Sequence, residues 1–596
     1  MKLPAILTTL ICGASLQIPA SAFEFTFLSA TNPTPNNAAE VVTYTRDGFR
    51  VGATFSDTTN VDPNLHSYGA ITYTMTASGA LVNETLIDFK PAFPAASVIQ
   101  TGFDPLGRGF GVVTLSPLAD QDVLGRVGFY NYRTGQVFGT MEVGFHPDGL
   151  TFSPDGTRLI VANEGEHPID FATTGKSTPG SLSVIDLSGI ADVSTGTSTQ
   201  FNNLPIITRD FSAVDISQAR VVPGGTMPVW HQIEPEAPVV LGNNVYVTLQ
   251  ENNAVGVFSL GATLAQSNWT SVRGLGTITQ TIDSSNADSP TGTPAALINK
   301  VVRTLPNPDA IAAYEANGVT YYVTANEGDN RGDGSDVATV ATLKTEGKLD
   351  PSLTTGPGDI TTNDKMGLLV VSRIDGDTDG DGDIDVPTAI GSRSFSIWRA
   401  SDGTLAYDSG SLEPLVLSLD PTTHNISRTL ATFDGRSTAR GPEPESVTIG
   451  IVDGRTYAVI GNERQNGIFA FDITDPSNVT FTDYFNALTD SNPANNFLLA
   501  PETIIFVPAA DNPTGLPLFI GGHEGTQLAN NTDGILVLSA QVPEPSTAAM
   551  LTLCLGWGLG LRRRRRRQPG CPKPSRCRTD HHIITHACIF NQNDTI

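Results

Sequence analysis

Residues 23 to about 540 alternate short runs of β-branched and aromatic residues with Gly, Asn, Asp and Pro turns, and long helical periodicity is nearly absent. Such runs predict strands, and two of them joined by Asp-Gly or Asn-Gly predict a hairpin. The clearest stretch is 441–464, GPEPESVTIGIVDGRTYAVIGNER. Acids set against prolines (Pro442, Glu443, Pro444, Glu445) precede an apolar run through Val447, Ile449 and Ile451. Asp453-Gly454 makes the turn, and a second run at 457–460 ends in Asn462-Glu463.

The same unit recurs along the chain. Pro147-Asp148, a strand at 150–152, a turn at 153–156 and a strand at 159–162 lead to Asn163-Glu164. Pro235-Glu236, a turn at 242–244 and a strand at 245–249 lead to Gln250-Glu251. Pro308-Asp309, Asn317-Gly318 and a strand at 321–325 lead to Asn326-Glu327. Pro501-Glu502, a longer turn at 511–517 and a strand at 518–520 lead to His523-Glu524. The run AIAAYEA at 310–316 is ambiguous by composition, but its place between a Pro-Asp pair and an Asn-Gly turn predicts a strand. Further strands follow most units, at 181–186, 254–260, 467–473 and 534–538, and degenerate units precede them at 40–55 and 103–115. Five clear units and two degenerate ones predict an all-β fold: a single seven-bladed β-propeller over 23–541, with an acidic, calcium-type loop inserted. The competing architecture is an array of sandwiches, which would not require the same unit each time.

Charge narrows the partners. The whole chain has a net charge of -26, and the 23–541 body carries 25 basic against 58 acidic residues, or -33. Such a surface repels nucleic acid and attracts cations; it also serves plain solubility. The five cysteines (Cys12, Cys554, Cys571, Cys577, Cys588) all lie outside the body, which must therefore fold on its hydrophobic core without disulfides.

The two ends read as export signals. Residues 1–22 have Lys2, an apolar stretch and Ala20-Ser21-Ala22, the pattern of a secretory signal peptide cut after Ala22. Near the other end, Val542, Pro543, Glu544 and Pro545 precede an apolar segment at 546–561 and six arginines at 562–567. As a helix that segment measures roughly 24 Å, short of a hydrocarbon core of about 30 Å unless the arginines snorkel. Arginines held on the cytoplasmic side put the body outside; a plain tail anchor is the simpler reading. Residues 568–596 carry Cys571, Cys577, Cys588, His581, His582 and His586 in no standard zinc spacing, and read as an unstructured tail.

FHPDGLTFSPDG…VANEGE, IEPEAPVV…YVTLQENNAVGVF, PDAIAAYEANGVTYYVTANEGD, DGDTDGDGDIDV…GSRSFSIW and GPEPESVTIG…YAVIGNER together resemble the choice-of-anchor I family over about residues 35–540. The resemblance implies a YVTN/WD40-like propeller displayed at the cell surface; some relatives carry an alkaline-phosphatase label. Residues 542–567 resemble a PEP-CTERM sorting signal. That implies an exosortase as partner, cleavage near Pro543-Glu544-Pro545, and transfer of the body from transient membrane anchoring to the cell surface or extracellular matrix.

Two acidic constellations could carry chemistry. In DGDTDGDGDID, Asp375, Asp377, Asp379, Asp381, Asp383 and Asp385 alternate with small residues. Calcium takes six to eight oxygens, and alternate acids on a tight loop supply them. Asp377, Asp379 and Asp381 fit positions 1, 3 and 5 of a calcium loop, with Gly382 as the turn glycine, but Thr388 stands where a bidentate Glu is usual. The simpler reading is a solvated acidic loop. The second set is the repeated acids, Asp148, Glu236, Asp309, Glu445 and Glu502 at one strand end and Glu164, Glu251, Glu327, Glu463 and Glu524 at the other. In a propeller, equivalent positions meet around the axis, so these are candidate channel-mouth acids for a divalent metal or polar ligand. They are equally candidates for structural caps, since repetition in every blade is what structural motifs do. His146, His231, His523, Ser446 and the tripeptide Arg331-Gly332-Asp333 carry weaker signals, and no nucleotide-binding or metalloprotease motif is present. The sequence thus predicts an exported, surface- or matrix-associated propeller, calcium-stabilised, that binds a surface polymer or protein. The alternative is a secreted metal-dependent phosphoesterase, alkaline-phosphatase- or phytase-like, using the channel-mouth carboxylates.

Overall fold

A computed structural model describes residues 23–542, apart from 34–38, 57–66, 95, 118–121, 166–176, 194–199, 224–226, 288–299, 491–497 and 526–532. The signal-peptide segment, the sorting segment after Val542 and the tail lie outside the described residues.

The chain is all-β. Seven four-stranded antiparallel sheets follow one another among the described residues. Their first strands are Val42–Thr45, Ala96–Phe103, Pro147–Phe152, Pro238–Leu241, Ile311–Ala316, Pro444–Val452 and Pro501–Val507, and the sheets are numbered 1 to 7 in that order. Sheet 7 is completed by the other end of the body: Glu24–Thr31 pairs antiparallel with Gly534–Gln541, from Glu24 opposite Gln541 to Thr31 opposite Ile535. Each first strand neighbours the next, and that of sheet 7 neighbours that of sheet 1, so the order closes on itself.

The cores explain the closure. An antiparallel sheet with two apolar faces must bury both. Every pair of successive sheets encloses its own cluster: Phe103 and Tyr68 between sheets 1 and 2, Val161 and Phe129 between 2 and 3, Val247 and Leu182 between 3 and 4, and Tyr322 and Val255 between 4 and 5. Val323 and Ile460 pack between 5 and 6, Val459 and Phe519 between 6 and 7, and Val537 and Ile71 between 7 and 1. This is the arrangement of a β-propeller, in which radial repetition protects the sheet edges.

The predicted hairpins form where the turn chemistry placed them. Asp453 (φ 49°) and Gly454 (φ 75°) both take the left-handed conformation, as do Asn317 (φ 53°) and Gly318 (φ 73°). These are the primed turns that match strand twist. The ambiguous 310–316 run is a strand, Ile311–Ala316. The degenerate unit at 103–115 marks only the turn and second strand of sheet 2. Its first strand, Ala96–Phe103, carries Gln100 in place of a Pro-acid pair and so escapes the repeat pattern.

The acidic insertion is larger than a loop. Ile278–Ile282, Lys300–Leu305, Thr388–Ile390, Val370–Ser372 and Val337–Thr339 form a separate five-stranded mixed sheet, with Arg303 opposite Thr388 in a parallel pair. It has its own core, including Val340, Leu343, Leu369 and Val371.

Candidate functional site

The first strand and the second strand of each sheet run antiparallel, so the start of one and the end of the other share one end of the sheet. Pro147 lies opposite Asn163, Pro444 opposite Asn462, and Pro501 opposite His523. The register slips between Pro147 and Leu150, Pro444 and Ser446, and Pro501 and Thr503. Asp148, Glu445 and Glu502 therefore sit in bulges, which re-aim a side chain out of the strand alternation.

These acids line a cavity of about 200 Å³ to which all seven sheets contribute. Its polar lining is Glu40, Gln100, Asp148, Asp309, Glu445, Ser446, Glu502 and Thr503. Glu236, one residue before Ala237 of the same lining, interacts with Asp148. A side chain at Gly149 would place its Cβ 2.2 Å from the Glu236 carbonyl oxygen, so glycine there permits the close approach of sheets 3 and 4. Glu40 and Gln100 are the members that repeat reading missed. Glu40 opens the degenerate 40–55 unit with no proline before it, and Gln100 is uncharged; their common place in the cavity lining reveals the equivalence.

Crowded, dry carboxyls resist ionisation. Burial pushes Glu40 up to about 7, with Glu524 and Asp533 adding repulsion and Arg428 opposing it. Glu236, Asp309, Glu445 and Glu502 are held well above the usual carboxylate range, first by burial and then by neighbouring acids. Glu251 is raised likewise, by burial and then Glu234. Glu40, Asp309 and Glu502 are half-buried, on the channel side of their sheets.

Three second-strand acids, Glu327, Glu463 and Glu524, meet two of the first-strand acids, Glu445 and Glu502. Glu327, Glu445 and Glu463 bring one oxygen each within 4.8 Å of one another, and Glu463, Glu502 and Glu524 do the same. Five acids from sheets 5, 6 and 7 thus form two triads that share Glu463. Asp148, Glu164, Glu236, Glu251 and Asp309 join neither triad. Arginines reach the triads from the side. Arg428 donates to Glu463 and Glu524, Arg440 to Glu327 (3.5 Å) and Asp329, and Arg464 to Glu443 (3.0 Å). Arg464 also pairs with Glu463 at 2.9 Å. Glu327 rises to about 8 and Glu463 to about 7, burial outweighing these arginines. Arg436, Arg440 and Arg464 line an adjoining pocket of about 240 Å³. Apart from Arg464, these arginines come from 424–440, which has no repeat pattern and gave no signal in the sequence.

In the inserted sheet, Asp377, Asp379 and Asp385 converge within 4.8 Å, and so do Asp350, Asp383 and Asp385. Asp375 stands apart: its Oδ2 accepts from Arg220 Nε (2.8 Å) and Ser372 Oγ (2.6 Å). Asp377 caps the loop by accepting from Gly380 N (2.6 Å) and Gly382 N (3.0 Å). Asp379 and Asp381 each accept from the amide two residues on, Asp381 N and Asp383 N, at 3.1 Å. Asp383 Oδ1 is buried with no hydrogen-bond partner, and burial and its acidic neighbours raise its pKa. Asp350, supplied from outside the alternating run, was invisible to loop spacing.

The weaker candidates resolve as contacts. His146 Nδ1 is 2.6 Å from Glu164 Oε2, and Arg331 is buried against Gln232 (3.0 Å), so its tripeptide is not displayed. His146, His231 and His523 do not converge in any metal-type group among the described residues. Another cavity, about 780 Å³, lies at the other end of the first hairpins of sheets 1, 2 and 7. Its acids are already paired, Asp47 with Arg133, Asp104 with Arg108 and Asp511 with Arg46.

A propeller with an acid-lined axial channel is thus the class that fold and site define. The choice-of-anchor I domain family matches residues 104–476, and the chain belongs to that family. A PEP-CTERM protein-sorting motif matches residues 541–567. Together they indicate an exported, cell-surface protein. No curated relative matches the sequence. Among solved structures, the chain is similar to a Pseudomonas aeruginosa periplasmic gluconolactonase (12% identity, 75% of this chain and 85% of that one, TM-score 0.37). It is also similar to the WD40 domain of Toxoplasma gondii coronin (8%, 88% and 88%, 0.38) and to Kuenenia stuttgartiensis hydrazine synthase (11%, 87% and 100%, 0.39). Likeness at this level adds no argument about function. Among the described residues no helix is long and apolar enough to cross a membrane; 546–561 lies outside them.

Proposed function

We propose that the chain is an exported, surface- or matrix-associated seven-bladed propeller that acts by binding a surface polymer or protein, and that calcium orders its inserted sheet. The carrying observation is the join at Gln541–Val542. The strand that closes the ring, Gly534–Gln541, leads directly into the sorting motif, so a complete body stands ahead of the cleavage signal. On this reading an exosortase-type enzyme cuts near Pro543-Glu544-Pro545 after 546–561 has held the chain in the membrane with the body outside. Replacing Pro543, Glu544 and Pro545 by alanine leaves full-mass protein in the membrane fraction; equal release of trimmed protein from both forms sinks the reading. Calcium at Asp377, Asp379, Asp383 and Asp385, with Asp350, is supported by their convergence and by the unpartnered Asp383 Oδ1. Calcium then protects 375–385 from protease in the native chain and not in Asp385→Asn.

The phosphoesterase reading is favoured by one observation, the two triads sharing Glu463. Two-metal hydrolysis needs ions about 3.5–4 Å apart with an open position for substrate. Phosphatase activity that needs calcium or another divalent ion, and that falls in Glu445→Gln and Glu463→Gln, supports it; inactivity in every metal removes it.

A further inference from the structure

We infer that the channel mouth is a second divalent-cation site, separate from the inserted sheet, in which Glu327, Glu445 and Glu463 bind a calcium-class ion directly. One oxygen of each lies within 4.8 Å of the others, and all three side chains are buried. Geometry alone would fit a proton-sharing cluster equally well. The second observation is Glu445 Oε2, which is buried and has no hydrogen-bond partner. A buried carboxylate oxygen left unpaired costs the desolvation of a charged group, and a hard cation is the partner that removes that cost.

Charge agrees. Among the described residues no arginine or lysine pairs with Glu445, whereas Glu327 has Arg440 and Glu463 has Arg428 and Arg464. Counting Glu502 and Glu524 with the triad, five acids face three arginines, a deficit of two charges when all are ionised. Two of those arginines are shared further, Arg440 with Asp329 and Arg464 with Glu443. Sharing leaves the excess of acid larger than two, and a divalent ion lowers it. Three carboxylates supply part of the six to eight oxygens calcium takes, and the adjoining cavity of about 200 Å³ has room for its water. At about 30 Å³ per water molecule, such a cavity holds a hydration shell.

The site does not depend on any reaction at the mouth. Its test uses the full chain carrying Asp377→Asn and Asp385→Asn, which silences the inserted loop, titrated with calcium alone by calorimetry. The expected result is residual calcium binding that weakens roughly tenfold or more when Glu445→Gln is added. In chelator, Glu445→Gln melts no lower than the wild type, because it removes a carboxylate crowded by other acids. Absence of calcium binding in the loop-silenced chain overturns the inference. So does unchanged affinity in Glu445→Gln, and so does a large drop in its melting temperature in chelator, which would make Glu445 a structural acceptor.

Discussion

Glu463 and Glu524 occupy the same position in neighbouring sheets and share one guanidinium nitrogen, Nη2 of Arg428. Arg428 itself sits at φ 68°, a conformation that costs a bulky residue energy, so its placement is held by these partners and by the Gly525 carbonyl, which accepts from Nη1 at 2.9 Å. Removing one partner of a buried ion pair typically costs about 3–5 kcal/mol, because the other charge stays buried. Arg428→Gln should destabilise the body by about 3 kcal/mol in chelator, and calcium should return part of the loss. Urea unfolding with and without chelator measures both.

Ring closure should depend on the N-terminal strand. Phe23 is buried, with its ring 4.5 Å from Tyr457 and 6.1 Å from Phe519. Phe23→Ala should cost about 3–5 kcal/mol. Deleting 23–31 should do more, exposing Gly534–Gln541 as an unpaired edge and driving aggregation, which light scattering would follow.

Two adjoining groups should titrate with opposite effect. Ala39 bridges His523, which places Glu40 beside it in the chain. Burial pushes His523 down to about 3, against a smaller pull from the Leu499 backbone. A lowered histidine stabilises fully above its unfolded value of 6.5 and loses that contribution as pH falls toward 3. Near pH 5 the loss is about 2 kcal/mol. His523→Leu should therefore gain stability relative to wild type as pH falls through this window, whatever its packing cost at pH 7.

Glu40 runs the other way. Its raised value, about 7, means its contribution is full below 4.5 and is lost as pH rises to 7. Glu40→Gln should gain on wild type across that interval, by about 3 kcal/mol at most. Glu524 and Asp533 sharpen the effect, and Arg428 blunts it. Parallel slopes in the two variants, read from unfolding across pH 4.5–7, would contradict at least one of the assignments.

Local rules determined much of this protein. The Asp453-Gly454 and Asn317-Gly318 turns specified hairpins because primed turns need positive φ at both residues. The repetition of Pro-acid and Asn-Glu pairs specified equivalent sheets, and equivalent sheets must stack. The sorting segment was legible because it is a linear signal. What tertiary structure alone decided is how each acid is met. Glu445 and Glu327 come from different sheets and become neighbours only when the ring closes. Arg428, Arg436 and Arg440 arrive from a segment without periodicity, and Asp350 joins Asp383 across an inserted sheet. Charge balance depends on distance and burial, which repeat spacing does not encode. Glu40 and Gln100 show the same limit from within the repeat: neither follows a proline, Gln100 is uncharged, and only the folded cavity sets them beside the repeated acids.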